Sequence, residues 1–270
     1  MRRRPTDEIQ RARTELSKVV EGLNEGQVLL LARMAAAMLL PIQTAMNPQS
    51  DIVSQAFSVA FSNYLLLHHA IHEERLNKKS FEYIFKYSCE AAGRDVRLNF
   101  HSIDSAEDMA VDGIKFSLKT QADAAIKPGA IYIQKLMEAR WIRECVTAED
   151  FARETRNRVT DHLGGYEKIL VLRAFEPDPD HVKYELVEIP RDLLLRVRGL
   201  SAADFGARNK YGSSGADVTD KRGRAFRILL DGSVEKVRIF NLRTDRCVVH
   251  ATWTIQRPAP KLPKGSSEET

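Results

Sequence analysis

The stretch "EDMAVDGIKFSLKTQ", residues 107–121, predicts a β-hairpin and is the best guide to the fold. Asp112-Gly113 is a dipeptide typical of a two-residue hairpin turn. This turn sets a register in which Met109 faces Phe116 and Val111 faces Ile114. One face of the hairpin then collects only apolar side chains, namely Met109, Val111, Ile114, Phe116 and Leu118. We therefore expect this face to pack against a core.

The opposite face of the hairpin is polar. It carries Asp108, Ser117, Lys119 and Gln121. Side chains directly opposed across two strands lie about 5 Å apart and diagonal ones about 7–8 Å apart, so Asp108 and Lys119 can converge on one ligand. Asp112 is used in the turn and Asp104 lies too far upstream. Asp108 is therefore the carboxylate that shares the face and neighbourhood of the lysine.

This arrangement resembles the PD-(D/E)xK nuclease superfamily, specifically type II restriction endonucleases and their mismatch-repair nicking relatives. Asp108 matches the family's first acid, and "Ser117-Leu118-Lys119" matches its acid-x-Lys element. Glu82, in the helix "SFEYIFKYSCEAAG", matches a carboxylate that the preceding helix often contributes. The resemblance covers roughly residues 80–199. It implies Mg²⁺ as cofactor and hydrolysis of DNA to 5′-phosphate and 3′-hydroxyl ends.

Two positions depart from the family pattern. Glu107 stands where the signature has Pro, and Ser117 stands where the second acid should be. Some restriction enzymes have Ser-x-Lys and take the missing carboxylate from the following helix, where Glu138 in "QKLMEARW" is the matching residue. The resemblance thus implies Asp108, Glu138 and Glu82 as metal ligands, with the amide oxygen of Gln121 as an alternative. Mg²⁺ prefers oxygen ligands and keeps several waters, so one or two carboxylates plus a phosphate oxygen suffice.

Basic residues are concentrated in the C-terminal third. The net charge is +4 for 270 residues, and residues 191–246 contain 13 Lys/Arg against 7 Asp/Glu. The segment "GARNKYGSSGADVTDKRGRAFR", residues 206–227, is either a mobile loop or a DNA-contacting element. Phosphates are bound by Arg and Lys, and base edges by Arg, Lys, Asn or Gln. The candidate DNA-binding residues are Arg208, Asn209, Lys210, Lys221, Arg222 and Arg224.

The order of patterns predicts an α/β (α+β) fold with a restriction-endonuclease-like core, in which helices flank a central mixed sheet. We predict a helical N-terminal region at 1–78 and a catalytic core at 79–200. A basic β-rich region at 201–257 and a disordered, Pro- and Ser-rich tail at 258–270 follow. Strands are expected at "KILVLRAF", "KYELVEI" and "CVVHATWTI", and "AFRILL" and "EKVRIF" are expected to form a hairpin around Asp231-Gly232.

Three cysteines without CxxC spacing favour neither a disulfide framework nor a structural zinc site. The most apolar run, from Val28, is broken by Arg33 and Pro41 and is too short to span a bilayer. We therefore expect a cytoplasmic protein without membrane segments.

The leading hypothesis is a Mg²⁺-dependent, sequence-specific endonuclease of double-stranded DNA. The resemblance implies a homodimer, because two strands must be cut at a palindromic site. Two alternatives stay open: a non-catalytic DNA-binding protein on a degenerate nuclease core, suggested by Ser117, and a strand-nicking repair endonuclease. A P-loop enzyme is disfavoured because the sequence contains no GxxxxGK[ST].

Overall fold

The stretch 107–121 folds as the predicted hairpin. Asp112 and Gly113 have φ values of 51° and 83°, the left-handed backbone that a tight hairpin turn of this kind requires. Met109 pairs with Phe116 and Val111 with Ile114, as the sequence predicted. The hairpin belongs to a computed structural model that describes residues 5–99, 106–123 and 126–257. The predicted disordered tail at 258–270 lies outside the described residues.

The helices alternate with strands along the chain. In the described part of the chain the α-helices are α1 (Pro5–Glu21), α2 (Glu25–Met38), α3 (Gln55–Ile71), α4 (Lys78–Ala91), α5 (Ala148–Glu154), α6 (Thr160–Gly164) and α7 (Arg191–Leu194). A π-helical turn, Thr155–Val159, joins α5 to α6.

The strands form two sheets. They are β1 (Ile42–Met46), β2 (Val96–Leu98), β3 (Met109–Val111), β4 (Ile114–Gln121), β5 (Ala130–Glu138), β6 (Lys168–Asp178), β7 (His181–Ile189), β8 (Ser214–Asp220), β9 (Gly223–Asp231), β10 (Lys236–Arg243) and β11 (Val248–Gln256). The larger sheet has the order β1-β11-β7-β6-β4-β3-β2, and the smaller one has the order β5-β10-β9-β8. The larger sheet is mixed, because β4 and β6 are parallel while its other pairs are antiparallel.

Two cores lie on the two faces of the larger sheet. On one face, Phe116 and Leu118 of β4 pack with aromatic side chains of α3 and α4, including Phe57, Phe61 and Phe85. On the other face, alternate residues of β6 and β7 pack with α5, α6 and the smaller sheet. The predicted α+β fold, with a large mixed sheet flanked by helices, is confirmed.

Two local predictions were wrong. Residues 42–46 form a strand within the region predicted to be helical, because β1 pairs along β11 as the edge strand of the larger sheet, a tertiary contact that five residues do not reveal. Glu138 ends a nine-residue strand and does not lie on a helix, because 130–138 pairs with β10; a short 3₁₀ helix follows it. The N-cap of α4 is Asn77, whose side chain accepts the Ser80 amide hydrogen.

Other local predictions were confirmed. The predicted strand pair forms β6 and β7, and β9 and β10 form the predicted hairpin. No helix among the described residues is both long and apolar enough to cross a membrane. The predicted domain boundaries and cytoplasmic location stay predictions.

Candidate active site

The carboxylate of Asp108 is held at the base of the hairpin. Its backbone amide donates to the Phe116 carbonyl oxygen at 2.8 Å, which extends the pairing of β3 with β4 by one residue. Asp108 Oδ2 accepts the Leu118 amide hydrogen at 2.6 Å and lies 3.5 Å from Ser117 Oγ. The hairpin register therefore positions this carboxylate against β4, with its second oxygen, Oδ1, available to other groups.

Ser117 and Lys119 lie on the face of β4 that the sequence predicted to be polar. Ser117 is fully buried, and its hydroxyl oxygen lies 2.9 Å from Lys119 Nζ. Burial lowers the pKa of Lys119 to about 8, and the Asp108 charge opposes this effect. The nearby ammonium groups of Lys78 and Lys135 lower the pKa further. The lysine is thus a poorly solvated cation next to the carboxylate of Asp108.

Glu82 reaches the same place from α4. Lys78, in the first turn of α4, lies four residues before Glu82 and therefore on the same side of the helix. Its Nζ is 2.7 Å from Asp108 Oδ1 and 3.3 Å from Glu82 Oε1. The structure thus joins Glu82, Asp108, Ser117 and Lys119 through consecutive contacts. The sequence did not lead us to Lys78, although its position four residues before Glu82 indicates that the two side chains share a helix face.

The two candidates to replace the acid missing at Ser117 have other contacts. Glu138 is exposed at the end of β5 and forms an ion pair with Lys135 at 2.7 Å. Gln121 is buried two residues beyond Lys119, and its Oε1 accepts a hydrogen bond from Arg173 Nε at 3.3 Å. The Gln121 amide oxygen is therefore already used to hold a buried guanidinium.

A histidine and a tyrosine that the sequence did not single out lie beside the hairpin. A Cβ on Gly165 would come within 2.5 Å of the Ala106 Cβ, so the end of α6 is tightly packed against the chain entering the hairpin. Burial lowers the pKa of His162 to about 4, and the Lys119 charge adds to this effect. Burial, followed by the Asp108 charge, raises the pKa of Tyr166.

The polar atoms of this pair are unusual because His162 Nε2 and Tyr166 Oη are buried without a hydrogen-bond partner among the described residues. The π-helical turn Thr155–Val159 directly precedes α6 and changes the rotation of the residues after it. Such turns are frequent at functional sites. The sequence of this helical segment contains no pattern that predicts the extra residue in that turn.

The six candidate DNA-binding residues form two separate groups. One group precedes β8: Asn209 Oδ1 accepts the amide hydrogens of Tyr211 and Ser213, between the exposed residues Arg208 and Lys210. The other group follows β8, where Arg222 pairs with Asp245 at 2.9 Å and Arg224 with Asp217 at 3.1 Å, beside the exposed Lys221. The strand β8 lies between the two groups in the sequence, although the Arg224 side chain reaches back to Asp217 in the middle of that strand.

A further cluster of acids lies elsewhere on the larger sheet. One ligand atom each from Asp51, Glu188 and His250 lies within 4.8 Å of the others. Lys168 Nζ is 2.7 Å from Asp51 Oδ2 and 2.8 Å from Glu188 Oε2, so an internal ammonium already bridges the two carboxylates and offsets part of their charge. We interpret it as an ion-pair network.

Comparisons with known proteins agree with the chemistry suggested by the hairpin. A family model described as "SmaI: Type II site-specific deoxyribonuclease" matches residues 16–255. The type II restriction enzyme SmaI of Serratia marcescens is 29% identical over 224 residues, which cover 81% of this chain and 87% of that enzyme. No solved structure matches the chain. Since the family model spans most of the chain, the protein belongs to the SmaI family of type II site-specific deoxyribonucleases.

Proposed function

We propose that this restriction endonuclease cleaves double-stranded DNA with Mg²⁺ at a site formed by Asp108, Ser117, Lys119 and Glu82. The observation that supports the proposal is the convergence of two carboxylates, from α4 and from the hairpin, on a single cation, the Lys78 ammonium. The order hairpin, crossover helices and parallel strand β6 also supports a PD-(D/E)xK core with a Ser-x-Lys variant.

The donor set fits a hard divalent cation. Asp108 Oδ1 and Glu82 Oε1 both lie within hydrogen-bond or ion-pair distance of Lys78 Nζ, so their oxygens face a common point. Carboxylate oxygens supplemented by water and a phosphate oxygen suit Mg²⁺. When bound there, the ion supplies charge neutralisation at the scissile phosphate and a bound water of lowered pKa.

The remaining residues position and stabilise the reacting groups. Ser117 Oγ lies between Asp108 and Lys119, so the hydroxyl fixes the position of the ammonium without adding a third negative charge. Lys119, with its pKa lowered to about 8 by burial, is able to hold or accept a proton near neutral pH. It orients the attacking water and offsets charge on the phosphate, which leaves 5′-phosphate and 3′-hydroxyl ends. Glu138 and Gln121 stay candidates for an additional oxygen ligand.

The duplex is bound by a homodimer that presents two such sites. The exposed basic groups before and after β8 contact phosphates and base edges of the DNA. A seven-residue strand is shorter than the helical repeat of B-DNA of about 34 Å, so groups at its two ends can face one turn of a duplex.

Digestion of a supercoiled plasmid of mixed sequence tests the proposal. With Mg²⁺ we expect discrete linear fragments, which EDTA abolishes. Asp108→Asn should lower the rate by at least about 100-fold while DNA binding is retained, because a neutral amide is a weaker ligand for the ion that would neutralise charge at the phosphate. The matched control is Asp112→Asn, in which Asn tolerates the left-handed backbone of the turn.

Three other outcomes contradict parts of the proposal. Wild-type cleavage by Asp108→Asn would remove this site assignment. Open circles without linear DNA would favour a strand-nicking enzyme. A mobility shift without any cutting would favour a non-catalytic DNA-binding protein.

A further inference from the structure

The first helix, α1, presents an apolar stripe to solvent. Every side chain from Asp7 to Val19 is exposed, and Ile9, Leu16 and Val19 keep 56%, 53% and 59% of their surface accessible. An isolated helix of 17 residues is only marginally stable in water, because most helix stability in proteins comes from packing of an apolar face. The exposed stripe therefore indicates that another surface covers α1.

The spacing of the stripe indicates another helix as that surface. Ile9, Ala12, Leu16 and Val19 follow one another at intervals of three, four and three residues. This is the a/d spacing of a coiled-coil seam, extended over two heptads. A wider apolar band, as expected for a helix lying on a sheet, would include a third position in each heptad, whereas α1 has one only in its second heptad, Val20.

The charges beside the seam identify the second helix as another copy of α1. With Ile9 at position a, Glu8 and Glu15 occupy g, and Arg13 occupies e. In a parallel pair each g residue faces the e residue of the following heptad in the other helix. Glu8 of each copy therefore faces Arg13 of its partner, which gives two such contacts. An antiparallel pair would instead place the g-position glutamates of the two copies near each other.

DNA is a poor occupant for this face. Between Pro5 and Glu21 the helix carries four acidic and three basic residues, namely Asp7, Glu8, Glu15 and Glu21 against Arg11, Arg13 and Lys18. A phosphate-binding surface requires a clear excess of Lys and Arg. A helix that carries both acidic and basic residues instead suits a partner helix that also carries both.

We propose that α1 pairs with α1 of a second copy in a parallel two-stranded coiled coil that forms part of the homodimer interface. This inference rests on the homodimer of the proposed function and names its surface. Two heptads alone form a short seam. Further exposed apolar side chains lie nearby in the sequence: Leu29 and Leu30 of α2, and Leu39 directly after it, are accessible over 64%, 50% and 86% of their surface. The contact is isologous, so one substitution changes both halves of the interface.

Sedimentation velocity of the full-length protein over a range of concentrations tests the proposal. Leu16→Glu should raise the dimer dissociation constant by about 100-fold or more, since it removes two buried leucines and opposes two charges. Thr14→Glu, at the outward f position of the same helix, is the matched control and should leave the constant unchanged. The thermal unfolding midpoint at a concentration where the wild type is monomeric should be the same for both variants, because Leu16 is exposed in its own chain.

A charge reversal tests the orientation. Glu8→Arg and Arg13→Glu should each weaken the dimer by roughly tenfold, and the double variant should restore it, because the pair is reciprocal. A Leu16→Glu protein that stays dimeric overturns the inference but leaves a homodimer through another surface. A wild type that is monomeric at all concentrations overturns the inference too, and the plasmid digest then shows whether the nuclease proposal still holds.

Discussion

Lys78 Nζ lies 2.7 Å from Asp108 Oδ1, and Glu82 Oε1 is its second anionic neighbour at 3.3 Å. The side chains of Asp108 and Glu82 each retain 17% of their accessible surface, against 44% for Lys78. A flexible, partly exposed ammonium thus compensates two largely buried carboxylates. Because a divalent cation and the ammonium need the same oxygens, we expect them to compete.

Replacement of Lys78 by Met should therefore increase the affinity for a divalent cation. We expect about tenfold tighter binding of Ca²⁺ without DNA, measured by isothermal titration calorimetry, because the variant removes a competing ion pair of modest strength. Lys79→Met is the matched control, since Lys79 Nζ lies over the Tyr83 ring at 5.2 Å. Unchanged or weaker Ca²⁺ binding by Lys78→Met would contradict the competition.

Lys119 should lower the stability of the fold at neutral pH. Its pKa falls from 10.5 to about 8 on folding because burial disfavours the charged form. Below pH 8 the lysine is charged in both states, so the folded state bears the whole cost of burial. Between pH 8 and 10.5 the unfolded state binds more protons than the folded state, so stability rises with pH in this window. Above pH 10.5 the lysine is neutral in both states, so its burial no longer lowers the stability of the fold.

Lys119→Met should accordingly raise the free energy of unfolding at pH 7, by on the order of 2–3 kcal/mol, while it abolishes cleavage. The difference from wild type should shrink as the pH rises from 8 to 10.5, as measured by urea unfolding at each pH. Lys115→Met, on the exposed part of the same strand, should show no such trend. A difference that is constant with pH would exclude the charge of Lys119 as its cause.

Arg173 should be among the most costly residues to replace. Its side chain is 1% exposed and donates to the carbonyl oxygens of Lys127, Pro128 and Ala130 as well as to Gln121 and Glu185. Arg173→Met would remove a buried guanidinium from all of these acceptors and leave Glu185 with Lys183, and we expect a loss of about 3–5 kcal/mol in chemical unfolding.

Lys183→Met is the control for Arg173. Lys183 pairs with the same Glu185 at 3.0 Å, but its side chain is 39% exposed. Its replacement should cost less than about 1 kcal/mol. Equal losses for the two variants would show that the ion pair with Glu185, rather than the hydrogen bonds to the three backbone carbonyl oxygens, accounts for the loss of stability.

The hairpin was predictable because its information is local. Asp112-Gly113 sets the turn, the turn sets the register, and the register places Asp108 beside Ser117 and Lys119. The proximity of Glu82 came from the family resemblance, and the structure supplies its contact through Lys78.

The rest of the site depends on contacts between distant segments. Glu138 was expected on a helix, but pairing of 130–138 with β10 overrides that local pattern. The sequence could not show that Gln121 accepts a hydrogen bond from Arg173, which is 52 residues away. His162 reaches the neighbourhood of Asp108 because α6 packs on Ala106, a close approach that only Gly165 permits.

Gly165→Ala tests whether that close approach positions Asp108, the carboxylate that we propose is catalytic. The added Cβ would lie 2.5 Å from the Ala106 Cβ, so the end of α6 and the segment leading to Asp108 must move apart. We expect a loss of 1–3 kcal/mol in stability, typical of overpacking, and at least about a tenfold loss of cleavage rate, since small displacements of catalytic groups are costly. Gly164→Ala is the matched control because nothing lies within 4 Å of its Cβ position. Alanine there should keep full cleavage and stabilise the helix slightly. If Gly165→Ala loses stability but cleaves at the wild-type rate, the packing of α6 on Ala106 supports the fold without positioning Asp108.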